Sequence, residues 1–294
     1  MALSANFEQY LRKRRSDATR RALAAALEAD GYRLEAALLE RCDEGMPITT
    51  VDIGDGVWDD RRAWVGTHLP ESATTGDIWL DVCELTPMVL VPWHLDPPDP
   101  AEYAPGVLER LPAHVAWLAL RPVLGWQFAA FLRVARTKRN RTRVRQRLKP
   151  LDGHRILADG EHAPVRSLMY EEAGLYATWF WKRTARRSDW QAAVAAFSHG
   201  EVAALWGPPH REWAGSVVEG IASVVSPDTV EADPHEALDD EEHWRRPDRI
   251  LYGEFEAPPD VTTRTAVSIQ SGLGTGENPL SVLDIGLGDF VDRS

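Results

Sequence analysis

The densest apolar periodicity lies in residues 164–197, PVRSLMYEEAGLYATWFWKRTARRSDWQAAVAAF. Met169, Ala173, Tyr176, Ala177 and Phe180 recur at helical spacing and predict a helix over 167–182. Ser167 is its expected N-cap, with Glu171 and Glu172 near the positive end of the helix dipole. Lys182 and Arg183 close the pattern with positive charge where the dipole is negative. Ser188 and Gln191 then have the spacing of a capping box. Trp190, Ala193, Val194 and Phe197 give a second helix, over 188–198, its buried stripe, and Gly200 is the expected stop.

Two further stretches carry helical spacing. Over residues 5–45, Phe7, Tyr10, Leu11, Ala18, Ala22, Leu23, Ala26 and Leu27 form a stripe; Gly31 marks a break before the pattern resumes at 34–39. Over 125–136, Phe128, Phe131, Leu132 and Ala135 share one face. Between these helical stretches the pattern becomes strand-like. Residues 49–53 and 77–82 alternate, 88–91 is a short apolar run, and Gly54, Gly56, Gly66 and Gly76 punctuate the turns. Six prolines within 92–112 predict an extended surface loop.

The 164–197 unit resembles a segment of the formylglycine-generating enzymes and their sulfatase-modifying-factor relatives. That segment runs P-V-x-x-V-S-x-x-x-A-x-x-Y-A-x-W, then a G-K-R-L turn, then T-E-A-E-W-E-x-A-A. Pro164-Val165, Ala173, Tyr176-Ala177, Trp179, Lys182-Arg183, Trp190 and Ala192-Ala193 stand in the matching places. Pro122-Val123, Phe128 and Phe131 resemble the family's first helix, with Leu124 where a threonine is usual. Trp206 and Arg211-Glu212-Trp213 are similar to its V-W-E-W-T. The segments 249–255, 263–267 and 285–288 follow the order of its closing strands, without the final arginine and with Gly253 lacking a partner glycine. The resemblance spans about Val115 to Gly288.

It implies an α+β fold of the C-type lectin-like kind: a twisted antiparallel sheet, few helices and long loops. Residues 71–294 would form this domain, with 1–70 as an N-terminal helical element. The family's copper chemistry uses a late pair of cysteines, whereas both cysteines here, Cys42 and Cys83, precede residue 90. The carbon–sulfur-forming relatives use iron with histidines from an added helical domain, and residues 1–45 contain none. Oxidative catalysis of these kinds is therefore not expected. No cofactor is expected either, while calcium as a structural ion stays open.

Composition adds bounds. The 294 residues are 44% hydrophobic and 27% charged, ordinary for a soluble domain with a sizeable core, and twelve tryptophans suit a loop-rich fold pinned by aromatics. No apolar run approaches the ~20 residues that span a bilayer. Two cysteines make no disulfide framework, and the first residues lack a secretory signal pattern, so a cytoplasmic location is expected.

The net charge of −12 is unevenly spread. Residues 133–149 hold nine basic side chains and no acidic one, and Arg139, Arg141, Arg143, Arg145 and Arg147 alternate along one side of an extended strand. They are the candidate binding residues, for an acidic protein surface or for nucleic acid phosphates. No aromatics interleave to stack bases, which favours protein. Arg12, Lys13, Arg14 and Arg15 read as a solvated face, with docking to an acidic partner as the alternative.

Residues 228–242 hold eight carboxylates. His235, Asp239 and His243 could share a helical face as metal ligands, but the two histidines would lie about 12 Å apart at the helical rise. A solvated acidic loop is the plainer reading. The glycine alternation at 272, 274 and 276 lacks the following helix of a phosphate cradle. His199 and His210 flank a proline-containing loop, and either could serve as a base, with no serine or cysteine beside it. Two functions follow: a non-catalytic recognition protein engaging a macromolecular partner through charged loops, or a divergent metal-dependent oxidoreductase with a rearranged site.

Overall fold

Alternation along the central strands builds one sheet with two apolar faces. The computed structural model describes residues 2–13, 16–40, 61–66, 70, 72–92, 114–137, 157–168, 170–185, 187–207, 210–216, 221–225 and 261–268. Three helices come first: α1 (Leu3–Arg12), α2 (Asp17–Ala29) and α3 (Arg33–Glu40). Strands β1 (Ala63–Gly66), β2 (Ile78–Asp81), β3 (Thr86–Pro92) and β4 (His114–Ala119) follow, then helix α4 (Gly125–Thr137). Helix α5 (Tyr170–Trp179), strand β5 (Arg183–Thr184) and helices α6 (Arg187–Ala196) and α7 (His199–Trp206) come next. Strands β6 (Glu212–Ser216), β7 (Ile221–Val225), β8 (Thr262–Thr263) and β9 (Thr265–Ser268) complete the described elements.

The larger sheet has the order β1-β2-β3-β4-β9-β5, and the smaller has the order β7-β6-β8. The architecture is mixed α/β. An antiparallel sheet had been expected, but each sheet contains a parallel pair. β1 pairs with β2 in parallel, and so does β6 with β8. The strands of each parallel pair are far apart in sequence, β1 ending at Gly66 before β2 starts at Ile78 and β6 ending at Ser216 before β8 starts at Thr262, whereas a two-residue hairpin makes only antiparallel pairs.

On one face of the large sheet, Ala63, Val65, Ile78, Leu80, Val89, Val91, Ala116, Leu118 and Ala266 join the main core. Helices α3 and α6 pack there, and α1 and α2 reach the same core beside α4. Phe7 of α1 meets Trp126 of α4 edge-on at 5.1 Å, and Tyr176 of α5 lies between Phe128 and Phe131 of α4. Such aromatic pairs add to the area that they bury. The alternate positions Trp64, Trp79, Met88, Leu90, Trp117 and Ala119 are buried on the opposite face.

The helix ends depart from expectation. The first stripe is two helices broken at 13–16, with Ser16 accepting from Thr19 N–H as the cap of α2. Ala18 and Ala22 consequently face solvent while Leu23 and Leu27 are buried. Ser167 has a φ of +55° and lies three residues before α5, so it does not cap that helix. α5 ends at Trp179, short of Lys182. α6 begins at Arg187, which puts Ser188 within its first turn rather than at the cap. The capping box belongs to α7: Ser198 Oγ accepts from Glu201 N–H, and the Glu201 carboxylate accepts from Ser198 N–H. Gly200, the expected stop, lies inside that helix.

Candidate functional site

The turn joining β2 to β3 carries two buried carboxylates, Asp81 and Glu84, each 3% exposed or less. Asp81 Oδ1 accepts from Cys83 N–H at 2.8 Å, which fixes the turn. Leu85 closes it in the left-handed region, at φ +58°. Across the core, the chain leaving α5 makes a second left-handed turn at Trp181, φ +59°, and so drives Lys182 inward. Its ammonium lies 2.9 Å from Asp81 Oδ2 and also bonds to Glu84 Oε2.

More groups close around this centre. Thr265 of β9 donates its hydroxyl to Glu84 Oε2 at 2.9 Å. Gln127 of α4 donates to the Glu84 carbonyl at 3.1 Å and to Thr86 Oγ1 at 2.8 Å, and accepts from Leu124 N–H. The Tyr176 hydroxyl is close enough to Glu84 to sense its charge. Burial, then that charge, holds the phenol pKa well above 10.0. Yet neither the Tyr176 hydroxyl nor Glu84 Oε1 completes a well-formed hydrogen bond.

Two carboxylates around one ammonium leave the centre one negative charge in excess when all three are ionised. Burial pulls the Lys182 pKa down, but the charges of Asp81 and Glu84 outweigh it and leave it above 10.5. Lys182 had been read as the positively charged C-terminal end of a helix. Its neighbour Arg183, expected beside it, instead makes a bidentate pair with Asp189, at 2.5 and 2.8 Å.

A second buried pair lies where the sheets meet. The Arg264 guanidinium grips Glu212 through Nε and Nη2, donates to the Ala119 carbonyl at 2.9 Å, and sits 4.8 Å from the Trp190 ring centre. His210 precedes β6, half-buried. Burial first, with Arg264 and Arg166 adding to it against Glu212, lowers its pKa below 6.5. The imidazole is therefore neutral near pH 7.

Of the residues singled out beforehand, His210 lies near the Glu212–Arg264 pair. Arg139, Arg141, Arg143, Arg145 and Arg147 lie outside the described residues, as do Arg14, Arg15, Cys42, the 228–242 segment with His235 and Asp239, and His243. Cys83 is half-buried in the turn between Asp81 and Glu84. Among the described residues, no group of three or more His, Cys, Asp or Glu is arranged to hold a metal ion, and no helix is long and apolar enough to cross a membrane. Asp81 and Glu84 were overlooked although a signal was present: two acids three apart beside an apolar run.

No family model, curated protein or solved structure matches this chain.

Proposed function

We propose that the protein is a recognition module that engages an acidic macromolecular surface through the basic 133–149 stretch. The observation that carries this is charge segregation: nine basic and no acidic residues there, against eight carboxylates within 228–242. Segregated charge steers association and makes its rate salt-sensitive. Helix α4, buried on both sides of its axis, is a rigid base leading into that stretch.

The scaffold proposed is that of the formylglycine-generating enzymes and their relatives, C-type lectin-like and without their oxidative activity. Support comes from the segments that carry the likeness. Tyr176, Ala177, Trp179 and Trp190 are buried, and Glu212 pairs with Arg264. The positions of Cys42 and Cys83, both before residue 90, support the loss of the copper chemistry. Calcium, if held, would be structural. The cell interior is the proposed location, with a protein as the partner.

Fluorescence anisotropy with labelled polyglutamate tests the binding role. Binding should weaken from low to high salt and be lost on changing Arg141, Arg143 and Arg145 to Glu. No binding at low salt, or binding indifferent to the reversal, overturns the proposal. Tighter binding of a single-stranded RNA probe would make nucleic acid the partner instead. Oxygen consumption with a cysteine peptide and added copper or iron checks the other half: turnover above the metal-only control would restore the enzyme reading.

A further inference from the structure

We propose that Lys182 and Asp81 join in an intramolecular amide bond, with Glu84 as the proton shuttle. Three requirements of such a bond meet at one place. The amine and the acceptor carboxyl are held together, at 2.9 Å between Nζ and Asp81 Oδ2. The carboxyl carbon is one bond beyond that oxygen, so a small shift brings the amine to the about 3–3.5 Å of a near-attack geometry. A second carboxylate, Glu84, bonds to the same amine. Lys182, Asp81 and Glu84 are all at least nine-tenths buried.

The roles of the two carboxyls differ by their partners. Asp81 Oδ1 accepts from Cys83 N–H, a donor placed to stabilise the oxyanion as the carboxyl carbon becomes tetrahedral. Glu84 Oε2, the oxygen that bonds to the Lys182 amine, also accepts from Thr265, which holds it where it can take a proton from nitrogen. The left-handed backbone at Leu85 and Trp181, one residue from Glu84 and from Lys182, holds the groups against each other. Backbone held in such sparsely populated regions concentrates at functional sites.

The step balances without an oxidant or co-reactant. Proton transfer from Lys182 Nζ to Asp81 Oδ2 gives a neutral amine beside a neutral acid, the minor and reactive form of a pair that rests as ions. The Lys182 nitrogen lone pair attacks the Asp81 carboxyl carbon. Glu84 takes a proton from nitrogen and delivers it to Oδ2, which leaves as water. The ammonium and the Asp81 carboxylate become one amide and one water, and Glu84 ends as it began, a carboxylate. Exclusion of water from the core then disfavours hydrolysis. The bond would tie the β2–β3 turn to β5, two points separated by a hundred residues of chain.

Intact-mass spectrometry of the purified full chain tests this. The expected result is a mass lower than the sequence mass by one water. Digestion should give a branched peptide joining the segment with Asp81 to that with Lys182. Lys182→Met should restore the full mass, and Glu84→Gln should leave most molecules unlinked. An unmodified wild-type chain after prolonged incubation overturns the proposal, whatever the variants do. Water loss mapped elsewhere, or to Glu84 as acceptor, overturns it equally. Undiminished linkage in Glu84→Gln removes Glu84 as the shuttle.

Discussion

Arg264 reaches Glu212 at the boundary between the two sheets, and both side chains are buried to within 1%. Arg264 stands between β8 of the smaller sheet and β9 of the larger, while Glu212 opens β6. Each member offsets part of the desolvation cost of the other. Removing one partner should therefore cost about 3–5 kcal/mol, because the survivor is left as an uncompensated charge. Denaturant unfolding of Arg264→Met and of Glu212→Leu should show that loss. The double variant should lose less than the sum. Additive losses would mean the two side chains act independently.

Tyr176 and Trp190 separate packing from polar chemistry. Both are fully buried, so truncation to Ala should remove about 3–5 kcal/mol. Tyr176→Phe keeps the ring between Phe128 and Phe131 and removes only a buried hydroxyl without a hydrogen-bond partner. Its loss should be under about 1 kcal/mol, since an unmade hydrogen bond contributes nothing to lose. A larger loss in urea titrations would show that the hydroxyl bonds to Glu84 in solution.

Two glycines should respond oppositely to a methyl group. A Cβ on Gly125, at the start of α4, would lie 2.2 Å from the Gly160 carbonyl oxygen, a backbone atom that cannot swing away. Gly125→Ala should destabilise by about 1–3 kcal/mol. Gly174, inside α5, has nothing within 4 Å of that position. Gly174→Ala should stabilise by about 0.5–1 kcal/mol through helix propensity. Thermal midpoints moving in the same direction would contradict this reading of the α4 contact.

Glu35 sets a pH dependence. Burial raises its carboxyl pKa above 4.5, against the opposing charge of Arg121. The native state therefore holds the proton more tightly than the unfolded chain does. Its favourable contribution is full below the unfolded value of 4.5 and is lost as pH rises through the raised folded value. The stability of wild type relative to Glu35→Gln should thus fall with rising pH across that window. A difference that climbs with pH would mean that Arg121 keeps Glu35 ionised.

The helices were legible in the sequence because Phe128, Phe131, Tyr176, Trp190 and Phe197 recur at helical spacing and are buried. Their ends were less so. Ser188 satisfies the capping spacing as well as Ser198 does, and only tertiary context selects between them. The alternation of 77–82 and the apolar run of 88–91 matched β2 and β3, but spacing carries no record of a partner's direction, so the parallel pairs were missed. Lys182 was misread for a related reason. A lysine after an apolar stripe looks like a helix end until one sees Leu85 and Trp181 turn two distant segments toward each other.

The sheet order places β9 between β4 and β5, so an inner strand of the large sheet is also the last of its six to leave the ribosome. A nascent chain stopped before Val261 has β4 and β5 without their shared neighbour, and Glu212 without Arg264. Two open strand edges and an unmatched buried acid are what invite pairing with other chains. Synthesis of the segment 261–268 is thus the step that covers the exposed edge of β4 and matches the buried charge of Glu212.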